Sequence, residues 1–252
     1  MSKPLELQQR LLAASLLFAA LLIGHPAASQ DKAAPADPFT QGVAALSEGK
    51  PAQAIELFTE VLKHNPDLVE AYINRGIAHL KLGQEVDAVT DFDRAVELNP
   101  KAAEGYYNRA LAYSRAGLYD KALEDYTQAL KYAPKDWQVY YNRGNAYLDA
   151  GKTREALEDY QKALKLHPEA PEILQNRGLA YLHLGEADKA LEDFQTVLRL
   201  NPNFARAHFG KGQALEKLGR QAEAKEAFRL FLKTGNPDTD APLLQQALER
   251  LK

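Results

Sequence analysis

The amino-acid sequence predicts an all-α fold, a solenoid of antiparallel helix pairs, because three kinds of residue recur along it at one fixed interval. Prolines stand 34 residues apart at Pro66, Pro100, Pro134, Pro168 and Pro202. Glycines keep the same interval at Gly49, Gly83, Gly117, Gly151, Gly185 and Gly219. Six alanines, from Ala54 to Ala224, are each followed four residues later by a phenylalanine or a tyrosine. A period of this length is typical of stacked repeats and not of a single globular core.

The first half of each repeat is predicted to be an amphipathic helix, and the third unit illustrates the pattern. Tyr106, Ala110 and Tyr113 fall at positions i, i+4 and i+7, which places them on one face of a helix. Gly117 can adopt the left-handed conformation that ends a helix. A first helix is therefore expected over residues 103–116.

The second half of the same unit predicts a partner helix over residues 120–132. Ala122, Tyr126 and Ala129 lie on its inner face, and Pro134 prevents further extension. Small residues are expected where the two helices cross closely, with the aromatic rings beside them. One pair cannot bury both of its faces, so each pair depends on its neighbours for stability.

The order of these residues within a unit resembles the tetratricopeptide repeat: an aromatic residue, Gly or Ala, Tyr, Gly, Ala, an aromatic residue, a small residue and Pro. Six tandem units are counted, with bounds 35–68, 69–102, 103–136, 137–170, 171–204 and 205–238. The repeats occupy residues 39–238, after a flexible spacer at residues 30–38. The resemblance implies a right-handed α-solenoid and a function in binding other proteins.

The N-terminal residues 1–29 are predicted to be a secretory signal peptide. Lys3 and Arg10 precede an uncharged, apolar run over residues 11–23, and small residues up to Ser29 suit cleavage by a signal peptidase. The run is short for a bilayer span. We therefore expect an exported protein, located in a periplasm or a lumen. An uncleaved anchor at the same apolar run, which would tether the protein to a membrane on the exported side, is the alternative.

The C-terminal residues 239–252 are predicted to form a capping helix that covers the last repeat. Asp240 and Pro242 suit the start of a helix, after a segment that shifts the period by one residue. Its apolar stripe would consist of Leu243, Leu244, Ala247, Leu248 and Leu251.

The composition argues against several classes of function. The chain has 31 Lys and Arg against 34 Asp and Glu, so no basic excess favours nucleic acid. It has no cysteine, which excludes disulfides, thiolate metal sites and a cysteine nucleophile. The histidines show no spacing typical of metal ligands. We predict a non-enzymatic protein with no metal, no cofactor and no small-molecule substrate.

The resemblance implies that the first helix of each pair lines a concave groove that binds a partner protein or peptide segment. The groove residues carried over onto this sequence are Phe39, Ile73, Ile77, Tyr107, Leu111, Tyr141, Asn145, Gln175, Leu179 and Phe209. Mostly apolar and aromatic side chains suit a segment with regularly spaced hydrophobic residues. The alternative is that these side chains only pack adjacent helices. The expected function is a scaffold in the assembly or maintenance of an envelope or thylakoid-lumen complex.

Two polar columns run beside this groove. The asparagines are Asn74, Asn108, Asn142 and Asn176, which would either bind a partner's backbone or belong to the repeat architecture. The arginines are Arg75, Arg109, Arg143 and Arg177, and sixteen residues after each stands an aspartate, at Asp91, Asp125, Asp159 and Asp193. The first and sixth units lack both members of the pair. We therefore predict four salt bridges within repeats, with an anion-binding row as the alternative.

Some members of this family bind acidic C-termini of chaperones with a clamp of cations and asparagines. In the last three units the matching residues are Tyr141, Asn145, Asn176, Arg206 and Gly210, so two of the three cations are missing. The sequence therefore argues against a co-chaperone function.

Overall fold

The computed structural model describes residues 37–252. The predicted signal peptide, and all but the last two residues of the predicted spacer, lie outside the described residues. The described chain divides into two compact units, of which one holds residues 37–134 and the other Lys135–Lys252. Within residues 37–252 there are thirteen α-helices and no β-strand.

The unit of residues 37–134 consists of three helix pairs. Its helices are α1 (Pro38–Ser47), α2 (Pro51–His64), α3 (Val69–Lys81), α4 (Glu85–Leu98), α5 (Ala103–Arg115) and α6 (Tyr119–Tyr132). Each helix packs against the next one in sequence, and the first helices α1, α3 and α5 also contact one another in succession.

The unit Lys135–Lys252 consists of three further pairs and one additional helix. Its helices are α7 (Trp137–Asp149), α8 (Thr153–Leu166), α9 (Pro171–His183), α10 (Ala187–Leu200), α11 (Ala205–Lys217), α12 (Gln221–Thr234) and α13 (Pro237–Leu251). Consecutive helices pack together, and the first helices α7, α9 and α11 contact one another in succession. The predicted fold class, an all-α solenoid of antiparallel helix pairs, is confirmed within each unit.

The glycine column ends the first helix of every pair. All six glycines have φ between +70° and +79°, a region that other residues rarely adopt. In the second pair, the N–H of Gly83 donates to the carbonyl of Leu80 at 3.2 Å, and that of Gln84 donates to the carbonyl of His79 at 3.0 Å. This arrangement is a Schellman motif, which satisfies the last carbonyls of α3 and turns the chain towards α4.

Small residues allow the two helices of a pair to cross closely, as the sequence predicts. A β-carbon added to Gly76 would lie 2.6 Å from the ring of Phe92, and one added to Gly144 would lie 2.7 Å from the ring of Tyr160. Both rings belong to the second helix of the pair and are fully buried. The aromatic side chain therefore occupies the space that the glycine leaves.

The last helix begins earlier than the predicted start at residue 239. Helix α13 starts at Pro237, and the side chain of Asn236 caps it by accepting a hydrogen bond from the N–H of Asp238 at 2.9 Å. A proline at the first position of a helix loses no hydrogen bond, because the N–H of that position has no partner within the helix. A capping Asn236 followed by Pro237 is therefore sufficient to start α13. Pro242, expected near the start, instead lies inside the helix.

Candidate protein-binding surface

Side chains from α1 and α5 form an apolar patch on the unit of residues 37–134. We define the apolar patch as Phe39, Val43, Tyr107 and Leu111, which are all partly exposed. Phe39, Val43 and Leu111 pack against one buried hydrophobic cluster. The patch has a packed base and an accessible outer side, which is the arrangement of a preformed binding surface.

The base of the apolar patch includes two of the predicted groove residues. Ile73 is 3% exposed and Ile77 is 2% exposed, so both support the patch from below. The ring of Phe39 meets that of Phe58 edge to face at a centroid distance of 5.6 Å. The ring of Tyr107 lies 6.2 Å from that of Tyr126, with the two ring planes tilted by 56°. Each surface aromatic is thus positioned by an aromatic residue of the second helix.

The equivalent surface of the unit Lys135–Lys252 contains a hydrogen-bonded amide network, which we define as Tyr141, Asn145, Tyr160 and Asn176. The hydroxyl of Tyr160 donates to Oδ1 of Asn145 at 2.7 Å. Nδ2 of Asn176 donates to the same Oδ1 at 2.9 Å and to the hydroxyl of Tyr141 at 3.2 Å. The network joins α7, α8 and α9.

The remaining predicted groove residues of this unit differ in their exposure. Gln175 and Phe209 are buried, at 6% and 4% exposed, and Leu179 is partly exposed. Tyr141 is also buried, at 3% exposed. Asn145 and Leu179, which are partly exposed, are therefore the members of this set that a partner can contact directly.

The buried tyrosines Tyr141 and Tyr126 have raised pKa values. Burial raises the pKa of Tyr141 to about 12, so its hydroxyl stays protonated at neutral pH. Burial also raises the pKa of Tyr126. The sequence analysis did not single out Tyr160, although a tyrosine in a column of mostly phenylalanines signals a hydroxyl that needs a partner.

Three residues of the asparagine column bond to their own helices. Nδ2 of Asn74, Asn108 and Asn142 donates to the backbone carbonyl four residues earlier, at 2.9 Å in each case. Asn74 is fully buried and Asn108 is 8% exposed, so neither presents its amide to a partner. Asn176 differs, because its amide bonds to side chains of α7.

Each arginine of the predicted ladder reaches the aspartate sixteen residues later. The shortest nitrogen–oxygen distance is 2.6 Å for the pairs of Arg75, Arg143 and Arg177 and 2.7 Å for that of Arg109. The four aspartate side chains are 2% to 8% exposed, and the arginine side chains 12% to 23%. The hydrogen bond to Asp125 raises the pKa of Arg109. Each of these cations is paired with an aspartate of its own repeat, so the arginines contribute to the internal structure of the repeats.

Two of the arginines have a further partner that the sequence analysis missed. Nη1 of Arg75 donates to Oγ1 of Thr59 at 3.1 Å, and Nη1 of Arg109 donates to Oδ1 of Asp93 at 2.7 Å. Both acceptors stand sixteen residues before the arginine, on the second helix of the preceding pair. The signal that could have revealed them is a polar residue sixteen positions before the arginine, here Thr59 before Arg75 and Asp93 before Arg109.

The clamp positions are occupied by internal contacts. Asn145 and Asn176 bond to each other, and Nε of Arg206 donates to Oδ1 of Asp240 at 3.0 Å. Tyr141 stands where the clamp requires a cation. The side chains at these positions therefore differ from the clamp in their charge and bond to residues of the fold.

Residues 37–252 contain no cluster of His, Cys, Asp or Glu that could hold a metal ion. None of the helices in that range combines the length and the hydropathy of a membrane span. The apolar run at residues 11–23 lies outside the described part of the chain.

Comparison with known proteins agrees with this architecture. A solved tetratricopeptide repeat protein from Parabacteroides merdae ATCC 43184 is similar at 19% identity, with 85% of this chain and 88% of that chain covered and a TM-score of 0.68. MamA from Desulfovibrio magneticus RS-1 is similar at 27% identity, with 66% of this chain and 94% of that chain covered and a TM-score of 0.62. YrrB, described as a TPR protein with an unusual peptide-binding site, is similar at 23% identity, with 76% of this chain and 97% of that chain covered and a TM-score of 0.63. No curated protein matches the sequence. One model of the tetratricopeptide repeat matches residues 39–103, 141–202 and 178–239, and another matches residues 103–136. The chain belongs to the tetratricopeptide repeat family.

Proposed function

We propose that this protein is an exported, non-catalytic scaffold that holds a partner polypeptide on the apolar patch, in the assembly or maintenance of an envelope or thylakoid-lumen complex. Its fold is that of a protein-interaction scaffold. The observation that carries the proposal is the patch itself, which combines partly exposed, uncharged side chains with a fully packed base. Exposed apolar patches of this kind mark interaction sites on soluble proteins.

The chemistry of the patch defines the partner segment. Phe39, Val43, Tyr107 and Leu111 offer hydrophobic and aromatic contacts without a charge. A partner with apolar side chains at regular intervals, either extended or helical, can bury them there. Aromatic residues in such a position contribute a large share of the binding energy.

The export part of the proposal is supported by the residue order of the N-terminal 29 residues, with charges, an apolar run and small residues in succession. N-terminal sequencing of the protein from its source tests it. A chain that begins at Gln30 supports export with cleavage. A chain that keeps Met1 and stays with the membrane fraction would support the tethered adaptor.

Binding to the apolar patch is tested with peptides selected from a random display library against the protein. The double substitution Val43→Lys and Leu111→Lys should weaken selected peptides by roughly tenfold or more, because two charges would face the apolar anchors. Val86→Lys is the matched control, since Val86 is an apolar residue of the same unit that is 80% exposed on α4. Full binding by the double variant, together with loss of peptide binding by Val86→Lys, would show that the binding site lies on the second helices.

A further inference from the structure

Trp137 and His167 depart together from the repeat pattern. The residues that share the position of Trp137 in other units are Val69, Ala103, Pro171 and Ala205. The residues that share the position of His167 are Asn65, Asn99, Ala133 and Asn201. Both exceptions belong to the fourth unit, and Trp137 is the only tryptophan of the chain.

The two side chains stack on each other where α7 begins and α8 ends. Their ring centroids are 4.6 Å apart, and the ring planes differ by 21°. At the same turn of the second unit an asparagine bonds to the backbone instead, because Oδ1 of Asn99 accepts from the N–H of Lys101 at 3.2 Å. His167 is exposed and Trp137 is partly exposed, so the stacked rings lie at the surface.

Tyr140 and Leu166 enlarge this surface, and we define the aromatic edge as Trp137, Tyr140, Leu166 and His167. Tyr140 is partly exposed and lies one turn after Trp137 on the same face of α7. Leu166 is the last residue of α8 and is 40% exposed, although it is a large apolar side chain. Nζ of Lys162 on α8 lies 5.6 Å from the ring centroid of Tyr140. The start of α7 and the end of α8 thus form one surface.

Exposed lysines surround the aromatic edge. Lys135 precedes Trp137 by two positions, and Lys165 precedes His167 by two. Lys162, which lies over Tyr140, is one turn earlier on α8 than Lys165 and is also exposed. Three cations therefore accompany the aromatic edge.

The nearby carboxylates do not cancel this positive charge. Asp136 caps the start of α7, and Glu169 forms an ion pair with Arg199. Asp159 is 2% exposed, within its salt bridge. Glu158 lies two turns before the end of α8, about 12 Å along the helix axis. The aromatic edge is locally positive, although the whole chain has a formal net charge of −3.

We propose that the aromatic edge binds the surface of an anionic lipid membrane. Tryptophan and tyrosine concentrate at the boundary between lipid headgroups and acyl chains, because their rings are apolar and carry one polar group. Lysines beside them are attracted to anionic headgroups. Protein interfaces are depleted in lysine, so three lysines around exposed aromatic residues favour lipid over a protein partner.

Membrane binding here leaves the amide network of the same unit uncovered. Tyr140 of the aromatic edge directly precedes Tyr141 of the amide network, so the two side chains point about 100° apart around α7. The two surfaces therefore face different directions. Lipid binding by the aromatic edge goes beyond the proposed function and does not depend on peptide binding by the apolar patch.

Fluorescence of the single tryptophan tests this directly. Vesicles of equal parts phosphatidylcholine and phosphatidylglycerol, with bromine on the acyl chains as a short-range quencher, should quench Trp137 in the full chain. Vesicles of brominated phosphatidylcholine alone should quench it far less, because the lysines then meet no anionic headgroup. The signal comes from the aromatic edge, so insertion of the apolar run at residues 11–23 does not mimic it.

Removal of two lysines provides the matched comparison. Lys162→Gln with Lys165→Gln should weaken binding to the anionic vesicles by roughly tenfold or more. The control is Lys217→Gln with Lys233→Gln, which removes the same charge from exposed positions on α11 and α12 of the same unit. The control should bind the vesicles as tightly as wild type. All four side chains are exposed, so the urea midpoint of unfolding should stay the same in both variants.

Unquenched Trp137 in the presence of the anionic vesicles would overturn the inference, even if the protein sediments with them. Equal weakening by the two lysine variants would also overturn it, because binding would then follow total charge and not the aromatic edge. Display-library peptides that lose affinity for Lys162→Gln with Lys165→Gln, with Trp137 unquenched by vesicles, would assign the surface to a protein partner instead.

Discussion

At the scale of single residues, Arg109 shows how one side chain joins three helices. Its Nε and Nη2 donate to Asp125 on α6, both at 2.7 Å, and its Nη1 donates to Asp93 on α4. Two parallel bonds to one carboxylate fix the orientation of the guanidinium as well as its distance. Because removal of one partner leaves a buried charge uncompensated, such pairs are sensitive to single substitutions.

A double-mutant cycle on Arg177 and Asp193 measures the contribution of one pair. We expect Arg177→Ala and Asp193→Ala to destabilise by several kcal/mol each, and the two effects to be coupled by at least about 1 kcal/mol. The control cycle uses Arg199 and Glu169 of the same unit, whose side chains are 65% and 63% exposed at 3.4 Å. Exposed pairs contribute about 0.2 to 1 kcal/mol at most. Equal coupling in both cycles, measured by urea unfolding, would show that burial does not strengthen the pair.

At the scale of helices, α13 is attached to α11 by ion pairs as well as by packing on α12. Arg206 pairs with Asp240, and Arg250 pairs with Glu216. In each pair the two residues are 34 positions apart in the sequence. The sixth unit lacks the arginine–aspartate pair of the four central units. Its Arg206 and Glu216 form ion pairs with residues of α13 instead. Ala247 is fully buried, whereas Leu248 is 50% exposed. The predicted apolar stripe is therefore only partly covered.

Removal of α13 tests its role as a cap. Phe228 and Phe231 of α12 are fully buried, and deletion of residues 237–252 should uncover apolar surface around them. We expect the truncated protein to associate, detected by sedimentation, and to unfold at a lower urea concentration. Leu248→Gln is the control, because this half-exposed side chain should be replaceable without either effect. A truncated chain that stays monomeric at full stability would contradict a capping role.

At the scale of the whole molecule, the two units carry surfaces of different chemistry. Residues 37–134 present the apolar patch, and Lys135–Lys252 present the amide network. Apart from Tyr160, the residues of both surfaces lie on the first helices of their pairs. One repeated fold thus presents an apolar surface on one unit and a hydrogen-bonded polar surface on the other.

The repeating columns explain how much of this could be predicted from sequence. Helix α5 ends at Arg115, within one residue of the predicted end. This end could be predicted because the glycine that stops the helix recurs in every unit. The salt-bridge partners could be inferred because arginine and aspartate occur in the same units and are absent from the same units. The residues that recur at one position of every repeat indicate the average environment of that position. This information is sufficient to predict the fold.

The departures from the columns could not be predicted in the same way. The bond between Tyr160 and Asn145 depends on which side chains meet at one place in one unit. The burial of Gln175 likewise follows from its neighbours and not from its polarity. Hydrogen bonds require specific distances and angles, which a periodic pattern does not contain. These non-repeating residues are the ones that distinguish the repeat units of this chain from one another.

Binding of a partner polypeptide to the apolar patch can be observed by NMR of isotope-labelled valine and leucine methyl groups during titration with a selected peptide. We expect the methyl signals of Val43 and Leu111 to shift in a saturable way, because both side chains line the patch. The signal of Val86, which is 80% exposed on α4, should stay in place. Saturable shifts at Val86, with the signals of Val43 and Leu111 unchanged, would show that the peptide does not bind the apolar patch.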